Sequence, residues 1–78
     1  MASYRIVTVI LRDYIFYGIY CEYDGSILSW RDIRWSLNSE ALKDLPKDLK
    51  YNLDCDGTAL FEKLSNAELV KKLLEEST

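Results

Sequence analysis

Histidine is missing from this 78-residue chain, and three other residue types are scarce: one Pro, three Gly and two Cys. Without an imidazole there is no Ser-His or Cys-His nucleophilic pair, no His metal ligand and no side chain whose ordinary pKa lies near neutrality. Cys21 and Cys55 stand 34 positions apart with no CxxC spacing. A disulfide framework or a structural zinc site is therefore not expected, and both residues read as reduced thiols. The three glycines are scattered singly, which leaves no glycine-rich phosphate loop. Only six uncharged residues separate Arg5 from Arg12. That is too short for a signal-peptide core or a bilayer span, so the expectation is a cytoplasmic protein with no membrane segment.

What is present is an ordinary globular allowance of apolar and charged residues, 49% hydrophobic and 29% charged, with ten Lys plus Arg against thirteen Asp plus Glu. A 9.1 kDa chain exposes roughly 4,900 Å² when folded against roughly 13,200 Å² when unfolded, which allows one small core. A single domain spanning residues 1–78 is expected. The charge is unevenly distributed. Residues 1–38 hold all four Arg, both Trp and eight of the ten aromatic residues at zero net charge, whereas residues 39–78 hold all six Lys and the whole net charge of −3.

Residues 4–12 are rich in β-branched side chains and read as a strand, as does 14–23 after the Arg12-Asp13 break. In this reading Val7, Val9 and Leu11 share a face with Ile15, Tyr17, Ile19 and Cys21. The opposite face carries Tyr4, Ile6, Thr8, Ile10, Arg12, Tyr14, Phe16, Gly18, Tyr20 and Glu22. Asp24-Gly25 between apolar runs is a hairpin signal of the type I′ kind and starts a third strand near Ser26. From Ile27 to Leu37 the alternation of Ile33, Trp35 and Leu37 favours a strand with a bulge near Arg31-Asp32. Trp30, Ile33, Arg34 and Leu37 also lie on one helical stripe, and Ser29 to Asp32 loosely fits a capping box.

Asn38 caps a short helix that must end before Pro46. Leu49, Tyr51 and Leu53 alternate as a fourth strand, residues 58–64 read as a short helix, and Ser65 to Glu68 form a capping box for the last one. The fold class expected is α+β, a small antiparallel sheet of three to four strands with an N-terminal meander and short C-terminal helices on one face, in the order β-β-β-α-β-α-α.

Asn52 to Gly57 resembles the start of a calcium loop, but its twelfth position is Lys63 rather than a closing carboxylate, so a solvated Asp-rich turn is the better reading. No carboxylate, thiol or phenol stands in a recognisable spacing with a nucleophile, and a domain this small has little room for a substrate pocket. No catalytic residue, cofactor or metal is expected. The run Val7 to Asp13, followed by Gly18 and then Tyr23-Asp24, resembles the first half of the Sm-type RNA-binding barrels. That resemblance covers about a quarter of the chain. It implies a curled sheet that binds single-stranded RNA.

The surplus of apolar residues on the sheet is the strongest functional signal. A face that met only water should be polar, and large exposed apolar patches mark interaction sites. Tyr, Trp and Arg are the residues enriched at binding hot spots. Arg12, Tyr14, Phe16, Tyr20, Trp30 and Arg34 are the candidate contact residues. Negative net charge and the lack of a basic stripe argue against direct nucleic-acid binding, so another protein is the expected partner, including a nucleic-acid-processing complex. A small acidic domain without reactive groups has the profile of an inhibitor or adaptor that occludes a surface, as phage-type inhibitors of host or CRISPR machinery do. Homodimerisation through the sheet is compatible with the same pattern.

Overall fold

Two runs of strand-forming residues separated by Arg12-Asp13 pair as the longest hairpin of the molecule, β1 (Tyr4–Leu11) and β2 (Tyr14–Cys21). In the computed structural model, which describes residues 3–53 and 57–77, six further elements follow. They are β3 (Ser26–Ile27), α1 (Trp30–Ser36), α2 (Ser39–Lys43), β4 (Tyr51–Leu53), β5 (Ala59–Phe61) and α3 (Leu64–Ser77). The class is α+β with one small antiparallel sheet, in the order β1-β2-β5-β4, with β3 also paired to β2. It is open: β1 and β4 are its outer strands, and no pair joins them into a barrel among the described residues.

A two-residue connection sets the register of the first hairpin. Leu11 pairs with Tyr14, and each step back along β1 matches one step forward along β2 until Tyr4 meets Cys21. Paired residues share a face, so even positions of β1 lie with odd positions of β2. This corrects the face assignment above by one residue. Tyr4, Ile6, Thr8 and Ile10 share the inner face with Ile15, Tyr17, Ile19 and Cys21, whereas Val7, Val9 and Leu11 lie outside with Phe16, Gly18 and Tyr14. Cross-strand geometry outranks the alternation within either strand.

Two more segments differ from expectation. Residues 30–36 form helix α1 rather than a strand with a bulge. The capping box decides it: Asp32 N–H donates to Ser29 Oγ at 3.1 Å, and Ser29 N–H donates back to Asp32 Oδ2 at 3.5 Å. These bonds satisfy two helix-end donors, and Ile33 is driven into the core. Residues 59–61 form strand β5 rather than a helical turn, and they sit between β2 and β4. Ala59, Leu60 and Phe61 are all buried. Three successive buried side chains alternate faces in a central strand, whereas a helix would have turned Leu64 inward, and Leu64 is exposed.

The Asp24-Gly25 turn forms, with Gly25 at φ +72° donating its N–H to the Cys21 carbonyl at 2.8 Å. Asp24 does not take a positive φ, so the loop is a four-residue connection rather than type I′. Asn38 caps α2 by accepting from Ala41 N–H at 2.7 Å, as its sequence predicts. The last helix starts at Leu64, with Ala67 N–H bonded to the Lys63 carbonyl, so its cap falls at Lys63, two residues before the expected Ser65.

The main core lies on the inner face, where Ile19, Cys21 and Phe61 meet Ile33 of α1 and Ala67, Val70, Leu73 and Leu74 of α3. Trp30 stacks on Tyr51 at 4.6 Å between centroids, with Phe61 edge-on at 6.4 Å. On the outer face Leu60 is buried beside Gly18 and Ile27. A Cβ at Gly18 would stand 2.8 Å from Ile27 Cγ2. Gly18→Ala is therefore expected to destabilise the fold by about 1–3 kcal/mol through overpacking. The cost should shrink when Ile27→Ala is present too, which a double-mutant cycle in urea would read as a coupling of the two sites.

Candidate functional site

The far half of the β1–β2 hairpin projects past the rest of the sheet. Pairing of β2 with β5 is confined to Tyr17 opposite Phe61, and β3 pairs only with Tyr20 and Cys21. Tyr14, Ile15 and Phe16 therefore have β1 on one side and, among the described residues, no strand on the other. Both faces of this projection are apolar. On the inner face Ile10 is 67% and Ile15 57% exposed, and on the outer face Leu11 is 40% and Tyr14 68% exposed. Tyr14 and Phe16 stand as a tilted ring pair, 6.4 Å apart at 41°.

Arg12 sits at the apex with φ +56°. A positive φ is rare for Arg, and Gly is the usual occupant of a turn position that requires one. Near the base of the outer face the Arg5 guanidinium lies over the Tyr20 ring, 4.8 Å from its centroid, with Arg5 Nε 3.9 Å from Glu22 Oε1. Tyr20 is thus half-buried and engaged within the chain.

The six candidate contact residues do not form one surface. Arg12, Tyr14, Phe16 and Tyr20 lie along the hairpin, at its apex and on the outer face. Trp30 and Arg34 belong to α1 on the helical side, where they border an open hollow of about 840 Å³ together with Arg31, Trp35 and Leu42. Trp35 is 88% exposed. A strand reading put Trp35 beside Ile33 and Leu37, whereas in a helix two residues turn it by about 200° away from Ile33, toward solvent. The helical stripe of Trp30, Ile33 and Leu37 was the signal that places it there. Val7 and Val9 are half-buried and Leu11 is exposed on the outer face, because the register across the turn, which neither strand's alternation contains, sets their side.

Burial pushes the Tyr4 phenol above its ordinary value of 10.0, with smaller Coulombic contributions from Cys21, its cross-strand partner, and Asp24. Tyr4 belongs to the core rather than to either exposed surface. Among the described residues no group of three or more Cys, Asp or Glu is arranged to hold a metal. The calcium-loop residues Asp54 to Asp56 lie outside the described residues, as does Cys55. No helix among the described residues is long and apolar enough to cross a membrane. No family model matches the chain, and neither a curated protein nor a solved structure shows significant similarity to it.

The raised Tyr4 value has a consequence for stability. The fold favours the neutral phenol, so this contribution is complete below the unfolded value of 10.0 and declines as pH rises from there through the folded value. Tyr4→Phe is expected to flatten the alkaline limb of a plot of unfolding free energy against pH, measured by urea melts. An unchanged limb in the variant would overturn this assignment.

Proposed function

We propose that the chain is a non-enzymatic protein-binding module that acts by occupying a partner's surface, with the projecting end of the β1–β2 hairpin as its contact element. The observation that carries this reading is the exposure of Ile10, Leu11, Tyr14 and Ile15 on both faces of one short projection. Burying large apolar side chains is worth about 1.5–3 kcal/mol each, so a partner able to enclose this projection gains several such increments. Tyr14 and Phe16 bring large rigid rings to the contact at little entropic cost. Arg12 places a guanidinium at the apex at the expense of backbone strain, and strained positions persist where the surroundings or a binding role hold them.

A protein partner suits this composition better than nucleic acid. Arg12 is followed by Asp13, and the chain is acidic overall, so counterion release would contribute little. The mode of action is steric. Within it, a phage-type inhibitor of a host or CRISPR nucleic-acid-processing complex is the finer reading that its size and charge favour.

The test is affinity capture from the native host with identification by mass spectrometry, comparing wild type with Tyr14→Ala and Arg12→Gly. Tyr14→Ala is expected to weaken capture of the same protein by about 30-fold, a loss of about 2 kcal/mol, while leaving the urea midpoint nearly unchanged. Arg12→Gly is expected to raise stability by about 0.5–1 kcal/mol by relieving the positive φ, and to weaken capture. Retention of single-stranded RNA with a steep salt dependence, or loss of folding in Tyr14→Ala, would refute the reading.

A further inference from the structure

We propose that the free edge of β1 pairs with the same edge of a second copy across a twofold axis, joining the two sheets into one. This goes beyond the partner-binding role and does not depend on it. It starts from the ladder of the hairpin. Glu22 N–H donates to the Ser3 carbonyl at 3.0 Å, so position 3 and the odd positions of β1 direct their backbone groups toward β2. The N–H and C=O groups of Tyr4, Ile6, Thr8 and Ile10 therefore point away from β2, along an edge that no other strand covers among the described residues.

Folded proteins usually protect such an edge with a charge at its centre, a proline, a bulge or a very short strand. Here β1 runs eight residues in unbroken one-to-one register with β2, has no Pro or Gly, and carries one charge, Arg5, near its start. An antiparallel twofold centred on Val7 uses all four outward residues. It sets Tyr4 opposite Ile10 of the second copy and Ile6 opposite Thr8, pairs of the aromatic and β-branched kind that stabilise sheets. This register closes eight backbone hydrogen bonds, two for each of four residue pairs. The charge pattern permits it, since Arg5 faces Val9 of the second copy and the two guanidinium-bearing strand positions lie on the order of 14 Å apart.

More than the ladder must take part. An eight-residue edge is about 27 Å long and about 10 Å deep, so ladder contact alone buries on the order of 500 Å² over both copies, below the roughly 1,200 Å² at which stable interfaces begin. The twofold places the projecting end of each hairpin beside the base of the other. That base, at Tyr4, Ile19 and Cys21, is where α3 packs within each copy. The uncovered inner-face residue Ile10 of one copy thereby comes beside Tyr4, a core residue of the other. The outer faces stay free and adjoin at Val7, so Leu11 and Tyr14 of both copies remain open to a partner.

The experiment is multi-angle light scattering across a dilution series from roughly 500 µM to roughly 1 µM, with hydrogen exchange at both ends. The expected result is a mass of twice 9.1 kDa at the top of the series, falling on dilution. The amides of Ile6, Thr8 and Ile10 should be protected only in the heavier species. Thr8→Pro removes an N–H that the single copy does not use, which an edge strand tolerates, and should weaken the association at least ~10-fold with unchanged circular dichroism. Thr8→Lys, at a side chain already in solvent, places a charge at the centre of the edge, should do the same and serves if the proline variant fails to fold. Both variants should still capture the partner, and Tyr14→Ala should still dimerise, which separates this proposal from the binding role. A wild-type mass of 9.1 kDa throughout, or an unchanged dimer in either folded variant, would overturn it.

Discussion

The structure rests on the two-residue turn at Arg12-Asp13. With Leu11 held opposite Tyr14, every pair down the hairpin follows, and with it the side of the sheet that each residue faces. A shift of one residue in β2 would put Gly18 in place of Ile19 beside Ile6 on the side where α1 and α3 pack. Gly18 then could not serve its present role, which is to leave room on the outer face for Ile27 and Leu60. The turn, the missing side chain at position 18 and the helical layer thus depend on one register. The strained φ of Arg12 is tolerated because the whole ladder holds it.

Much of this architecture could be read from residue order. The two long strands, the Asp24-Gly25 turn, the Asn38 cap, β4 and the last helix are local features, each declared by propensity or by a turn residue, and all form. The errors arose where local signals conflict and tertiary packing decides. Ile27 to Leu37 carries both an alternating and a helical pattern, and two side-chain bonds to backbone between Ser29 and Asp32 decide residues 30–36 for the helix. Ala59 to Phe61 is too short to show a period. Only its position between β2 and β4 explains three consecutive buried residues.

The candidate site was partly readable for a related reason. Composition alone marked the N-terminal half as unusually aromatic and rich in Arg, and the exposed residues Tyr14, Arg12 and Trp35 do come from that half. Which of its residues share a surface is a question of register and helix phase, and neither strand considered singly contains that information. The separation of Trp30 and Arg34 from the hairpin follows once residues 30–36 are helical, because the buried Ile33 anchors that helix to the inner layer.

A mismatch of lengths accounts for why an apolar projection exists at all. Strands of eight residues reach about 27 Å, while α3, with fourteen, reaches about 21 Å even if laid along them. The helix that covers the base of the hairpin therefore stops short of its end, and α1 and α2, at seven and five residues, are engaged near the base through Ile33 and Ala41. A chain under pressure only to fold would place polar residues where the helical cover ends. This one continues with Ile10, Leu11, Tyr14 and Ile15, all exposed, in the kind of apolar patch that marks interaction sites. The apolar pattern past the end of the helix is thus unexplained by the monomer's own stability, and it becomes reasonable once another surface supplies the missing cover.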